Sequence, residues 1–127
     1  MTTSNTSRRP LTDLQQRILE LIWSRGSATA EDVRDALRPQ HPLSDSSVRT
    51  LLRRLEARGY LVHESQGKVF VYRAQLAPQK VAARSVRQII ERFWAGSVEQ
   101  FLVGMVDEKV LTRAEIERLA RKVRARK

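Results

Sequence analysis

A chain of 127 residues with 41% apolar content is sized for one domain, or one small domain with an appendage, around an ordinary core. It has no cysteine and only two histidines, His41 and His63, which excludes a disulfide framework, a thiol nucleophile and a Cys- or His-rich metal cluster. Lys and Arg number 24 against 14 Asp and Glu, a formal net charge of +10, so a polyanion is the first partner to consider.

Residues 1–10, MTTSNTSRRP, have the composition of a disordered lead, and no apolar run follows their arginines. No stretch approaches the roughly 20 apolar residues of a membrane span, and the expectation is a soluble, cytoplasmic protein. Thr12 and Gln15 form a capping-box pattern ahead of a first helix. Its stripe is Leu14, Ile18, Leu21 and Ile22, and Gly26 ends it. Thr29 and Asp32 open a second, short helix through Val33, Ala36 and Leu37, which Pro39 and Pro42 stop. Ser44 caps a third, with Val48, Leu51, Leu52 and Leu55 as its buried face and Gly59 as its terminator.

After Gly59 the period changes from 3.6 to 2. YLVHES and KVFVYR alternate apolar and polar residues about Gln66 and Gly67, which predicts a β-hairpin with those two residues as its turn. Three helices followed by a hairpin is the order of a winged helix-turn-helix. From Ala77 the chain turns helical again: Pro78 suits a first turn, and Val86, Ile89, Ile90, Phe93 and Trp94 make a wide apolar face that ends at Gly96. Ser97 with Gln100 starts a shorter helix bearing Phe101, Leu102, Met105 and Val106. Thr112 with Glu115 starts a last one bearing Ile116, Leu119 and Val123. About fifty residues are too few to cover these faces, so self-association through them is expected. The fold class is thus mainly α with a small hairpin: a lead (1–10), a winged-helix DNA-binding domain (11–76) and a helical dimerisation region (77–127).

No phosphate loop, nucleophile elbow, zinc motif or carboxylate pair beside a histidine is present, so an enzyme, a metal site or a cofactor is not expected. His41 reads as a loop residue and His63 as a solvent-facing strand residue. The positive charge divides into an excess of four up to Ala77 and six beyond it, so net charge does not locate the binding surface. Pattern does. The face of the third helix opposite its leucines carries Ser46, Ser47, Arg49, Thr50, Arg53 and Arg54, and Arg49/Arg53 and Arg54/Arg58 are like charges four residues apart. Such pairs repel by a few tenths of a kcal/mol, roughly, unless something negative lies opposite. Small hydroxyl residues let a backbone approach bases and phosphates, and arginine grips guanine or phosphate. Lys68 on the wing turn and Arg73 at its exit extend this surface. Arg8 and Arg9 suit either an arm or a plain disordered lead, and the basic run from Arg121 to Lys127 reads as complement to a helix C-terminus.

The runs LTDLQQRILELIWSRGSATAEDV and LSDSSVRTLLRRLEARGYLVHESQGKVFVY are similar to the penicillinase-repressor family of bacterial transcription factors, the BlaI/MecI type. The likeness rests on the leading L-T-x-L, a Trp near the end of the first helix, the Ser/Thr-rich start of the third, its R-x-L-x-x-x-G-Y-L exit and the x-F-x-Y end of the wing. It covers about residues 11 to 120. The resemblance implies a homodimeric repressor on a palindromic DNA operator. Ser46, Ser47, Arg49, Thr50, Arg53, Arg54, Lys68 and Arg73 would face double-stranded DNA, and the C-terminal helices would form the dimer interface. That interface would comprise Val86, Ile89, Ile90, Phe93, Trp94, Phe101, Leu102, Met105, Ile116 and Leu119. It also implies release by a membrane sensor peptidase system or its downstream protease, cutting between Asn and Phe. The aligned bond here joins Gly104 and Met105, so the Asn-Phe pair is absent, and the cysteine motif of copper-responsive relatives is absent too. Two rival readings are a sequence-indifferent, nucleoid-type DNA binder and a winged protein-interaction module.

Overall fold

The computed structural model describes residues 9–126. Residues 1–8, including Arg8 and most of the expected lead, and Lys127 lie outside the described part. The chain forms two compact units, one up to Ser85 and one from Val86.

In the first unit, helix α1 (Asp13–Arg25) opens on a complete capping box. The Gln15 N–H donates to Thr12 Oγ1 at 3.1 Å and the Thr12 N–H donates to Gln15 Oε1 at 3.0 Å. The helix ends at Gly26, whose φ of +89° is a conformation that side chains disfavour. Its buried face is Gln15, Ile18, Leu19 and Ile22, with Leu14 and Leu21 only half-buried. This stripe is rotated slightly from the predicted one, because Gln15 must fold back over the helix start to complete the cap.

Strand β1 (Ala28–Thr29) follows, then helix α2 (Ala30–Leu37), capped by a second reciprocal box between Thr29 and Asp32. Val33 and Leu37 are buried while Ala36 is exposed. Strand β1 is not predicted from the sequence: two residues are too short to show a period, and they are strand only because they pair with the wing. Helix α3 (Asp45–Ala57) starts at N-cap Ser44 and buries Val48, Leu52 and Leu55, with Leu51 half-buried at its edge. Arg58 is its C-cap and Gly59, at φ +88°, turns the chain out of the helix.

Strands β2 (Leu61–Gln66) and β3 (Val69–Ala74) pair antiparallel, from Leu61 opposite Ala74 to Gln66 opposite Val69. The connecting residues are therefore Gly67 and Lys68, one position beyond the predicted Gln66 and Gly67. Gly67 has φ +65° and Lys68 is not among the positive-φ residues, the pattern of a type II′ turn with glycine first. Strand β1 adds to the other edge of β3, with Ala28 opposite Tyr72, giving the order β1-β3-β2. The hairpin packs onto the helices through Tyr60, Leu61 and Tyr72. They join Ile18, Ile22, Val33, Val48, Leu52 and Leu55, all fully buried, and Val81 from the next helix. Each such side chain stabilises the fold by about 1.5–3 kcal/mol relative to exposure. The Trp23 indole N–H donates to the Leu76 carbonyl at 3.0 Å, tying α1 to the chain leaving the wing.

Helix α4 (Pro78–Trp94) contains the division between the units, and its first two turns belong to the winged one. The second unit is the remainder of α4 with α5 (Val98–Asp107) and α6 (Arg113–Arg126). Ser97 caps α5 as expected, accepting from the Gln100 N–H at 3.1 Å, and Thr112 with Glu115 forms the box that opens α6. Trp94 packs edge-on against Phe101 and lies on Gly104, where an added Cβ would come within 3.3 Å of the indole. Among the described residues of this unit only Ile90 is buried. Val86, Ile89, Phe93, Val98, Val103, Val110, Leu119 and Val123 are all exposed, Phe93 to 68%.

Candidate nucleic-acid interface

Because Val48, Leu52 and Leu55 fix one side of α3 against the core, the helical period sets its other side outward. Ser46, Ser47, Arg49, Arg53 and Arg54 are exposed there and Thr50 is half-buried, so the six residues predicted from the pattern share one face. The start of this face is organised by the cap. Ser44 Oγ accepts from the Ser47 N–H at 3.1 Å and donates to Ser47 Oγ at 3.0 Å, with Ser46 Oγ at 3.2 Å. Ser47 thereby keeps its own hydroxyl proton for an outside acceptor, such as a phosphate oxygen. Arg53 reaches Thr50 Oγ1 only at 3.5 Å. Arg49, Arg53 and Arg54 make no ion pair among the described residues.

The wing is less uniform. Lys68 is exposed on the turn and has no acidic partner among the described residues. Arg73 pairs with Glu64 across the strands at 3.3 Å, and both remain largely exposed. That contact is a surface ion pair of small net value, so phosphate can compete for the guanidinium.

His63 departs from its predicted solvent-facing place. Its Nδ1 lies 2.8 Å from both carboxylate oxygens of Glu56 and its ring stacks on Phe70 at 4.1 Å, which leaves the side chain 30% exposed. The ring is drawn in because β2 crosses the C-terminal part of α3, a proximity that alternation along the strand does not encode. Burial pushes the neighbouring Tyr72 hydroxyl pKa up, with the Glu56 carboxylate adding to the effect.

Other groups that shape the site were not singled out by pattern. Arg34 of α2 binds Asp45 in the first turn of α3 and also contacts Asp35 at 3.1 Å and Glu31 at 3.9 Å. Hydrogen bonds to Asp45 and then Asp35 raise its pKa and hold it charged. This tie links the two helices of the helix-turn-helix and neutralises the carboxylate nearest the serines. Arg58, grouped with the outward arginines by spacing, instead lies over the Tyr60 ring at 5.3 Å and donates to the Arg9 carbonyl. Arg84 lies over the same ring at 5.5 Å. Phe70 and Val69 on the wing are exposed to 46% and 49%, and alternation alone gives no reason for that.

Of the residues expected at a dimer interface, Val86, Ile89, Phe93 and Leu119 are exposed. Trp94, Phe101, Leu102, Met105 and Ile116 are half-buried and Ile90 is buried. No described helix is long and apolar enough to cross a membrane.

Comparison with known proteins gives consistent relatives. Over 109 residues, 86% of this chain, it is 26% identical to an uncharacterised 16.5 kDa protein in the ptsI 3' region of Latilactobacillus sakei, of which 75% is covered. It is 24% identical to the penicillinase repressor of Bacillus licheniformis, again across 86% of this chain and 85% of that protein. The methicillin resistance regulatory protein MecI of Staphylococcus aureus strain N315 is 21% identical across 86% of this chain and 89% of its own length. Among solved structures, the DNA binding domain of the repressor BlaI aligns with a TM-score of 0.49 and 28% identity, covering 54% of this chain and 83% of that one. A sequence model of the penicillinase repressor family matches residues 11–125, nearly the whole chain, and the protein therefore belongs to the penicillinase repressor family.

Proposed function

We propose that the protein is a sequence-specific DNA-binding transcriptional repressor, acting as a homodimer on a palindromic operator and released by a signal that acts on its second unit. The observation that carries this reading is the outward face of α3. Three arginines without acidic partners among the described residues and two serines at a capped helix start stand on one exposed surface beside a basic wing turn. Like charges so arranged need an anion opposite, and helix N-terminal N–H groups add to that demand. The names of the relatives, a penicillinase repressor and a methicillin resistance regulatory protein, agree with it.

Repression would be by occlusion. Two α3 helices would enter the major groove about 34–36 Å apart or at a multiple of that spacing, following the helical turn of DNA. Phosphate contacts would supply most of the affinity and make it fall with salt, while Ser47 and one or two arginines would read bases. Dimerisation is supported by the apolar surface of the second unit, which buries only Ile90 among its described residues. The bond between Gly104 and Met105, aligned with the cleavage point of the family, lies within α5, beside Trp94. Proteolytic release there would require α5 to unwind first. The action is proposed to take place in the cytoplasm and to involve no reaction catalysed by the chain.

A second reading, a sequence-indifferent DNA binder, draws on the positive excess in both parts of the chain. Retention of labelled fragments from the protein's own upstream region, with excess random duplex, separates the two. The repressor holds one fragment; a general binder releases all of them alike.

A further inference from the structure

The wing is anchored at its base and bare at its tip. Along β2, Leu61 is buried, Val62 and His63 are half-buried, and Glu64, Ser65 and Gln66 are exposed. Gly67 and Lys68 on the turn are exposed too, as are Val69 and Phe70 on β3. Strand β1 reaches β3 only at Val71 and Tyr72, so the tip beyond them is a two-stranded ribbon. Such a ribbon has little stability of its own, and its direction depends on what holds the last covered residue. On β2 that residue is His63. Its Nδ1 lies 2.8 Å from both carboxylate oxygens of Glu56 on α3, and its ring stacks on Phe70 at 4.1 Å with the planes 19° apart. Resting on the reading of DNA as the partner, we propose that Glu56 and His63 are a positioning pair, a proton-operated tie that sets the wing tip against α3 and, through it, the affinity for DNA.

A carboxylate only accepts, so Nδ1 donates to Glu56 whether the ring is neutral or charged. A second proton on the ring changes the strength of the contact. It then becomes a charge-assisted hydrogen bond between opposite charges, and the cation also gains from the face of Phe70. One of these contacts leads to α3 and the other to the wing tip, so a single proton tightens both ends of the tie. Histidine changes charge between about pH 5 and 8. The sign follows: the tie is strongest at the acid end of that range and loosens as the pH rises.

The surroundings leave Glu56 as the charge that answers His63. Strand β2 packs against β3 and α3. From α3 come Glu56 and Arg53, and Arg53 acts on the Tyr72 hydroxyl. From β3 come Phe70 and Tyr72; Tyr72 is directly opposite in register, with its ring 5.5 Å from the imidazole. Burial pushes the Tyr72 hydroxyl pKa up, so that group stays neutral throughout the range in which histidine titrates. Glu64 and Arg73 belong to the other face of the ladder and pair with each other there. On the face that His63 shares, the neighbours along β2 are Leu61 and Ser65, which carry no charge.

The test is fluorescence anisotropy of the full chain on its retained upstream fragment, from about pH 5.5 to about pH 8 at one ionic strength. The parent is expected to lose about three- to tenfold in affinity across that range, as the charge-assisted contact reverts to an ordinary one. Glu56→Gln removes the carboxylate charge and His63→Gln removes the titrating ring. Each is expected to bind with nearly the same affinity at every pH, close to that of the parent at the alkaline end. The chain has one other histidine, His41, and His41→Gln is expected to keep the parent's profile. A flat profile in the parent overturns the proposal, and so does a parent-like slope in Glu56→Gln or His63→Gln. A second measurement needs neither variants nor DNA. In NMR spectra of the free parent, the amide resonances of Gly67 and Lys68 are expected to follow the His63 ring through its titration. Amides that stay still while the ring titrates overturn the tie, whatever the variants do. A parent that holds no duplex at any pH removes the DNA reading, and the amides then decide for or against the tie by themselves.

Discussion

Asp45 is the residue that looks out of place on a DNA-facing surface, a carboxylate in the first turn of α3 next to Ser46 and Ser47. The helix favours an acid there, since its N-terminus carries partial positive charge, but a phosphate does not. Arg34 reconciles the two by binding Asp45 from α2. Arg34→Ala is therefore expected to weaken DNA binding about two- to fivefold, the modest effect of losing a partly exposed ion pair. Adding Asp45→Asn to that variant should restore most of the loss, as read by fluorescence anisotropy. If the double variant is no better than the single one, Arg34 touches DNA itself. Ser47 and Arg53 carry a different expectation, base readout. Ser47→Ala and Arg53→Ala should each cost the operator about 1–3 kcal/mol and random DNA much less. Equal loss on both duplexes would make them phosphate anchors.

At the scale of elements, the strongest local signals are the caps. Thr12, Thr29, Ser44, Ser97 and Thr112 each bond the backbone three residues on, and each marks the helix start that the sequence predicts. Thr12→Ala should lower stability by about 1 kcal/mol in urea unfolding, with DNA affinity unchanged because Thr12 is not part of the outward face of α3 or of the wing turn. Caps are legible because their chemistry spans four residues. The same is true of the α3 face, whose outward arginines and serines follow from a 3.6-residue period set by Val48, Leu52 and Leu55. What is not legible depends on contact between distant segments. Strand β1 exists through Tyr72 and Val71 of β3. His63 is drawn in by Glu56, and Arg58 is turned onto Tyr60. Arg73 meets Glu64 across a ladder whose turn sits one residue later than alternation suggests, since glycine serves a two-residue turn at either central position.

For the whole molecule, the two units differ in how they hold themselves together. The winged unit has a dry core from α1 through the start of α4. Leu52→Ala, emptying part of it, should cost about 2–5 kcal/mol. The second unit buries only Ile90 among its described residues and leaves Phe93, Val103, Val110 and Val123 bare. The proposed remedy is a second copy. Phe93→Asp should shift sedimentation from dimer to monomer at micromolar concentration while the circular dichroism of the winged unit persists, and an unchanged dimer would place the interface elsewhere. Dimerisation and DNA reading meet in one observable, the pattern of protection along the operator. Hydroxyl-radical footprinting of the retained upstream fragment should show two symmetric protected half-sites with centres one helical turn or a whole multiple of it apart, filled together at two chains per fragment. Continuous protection without symmetry, growing with protein concentration on any fragment, would contradict a dimeric repressor that reads sequence through α3.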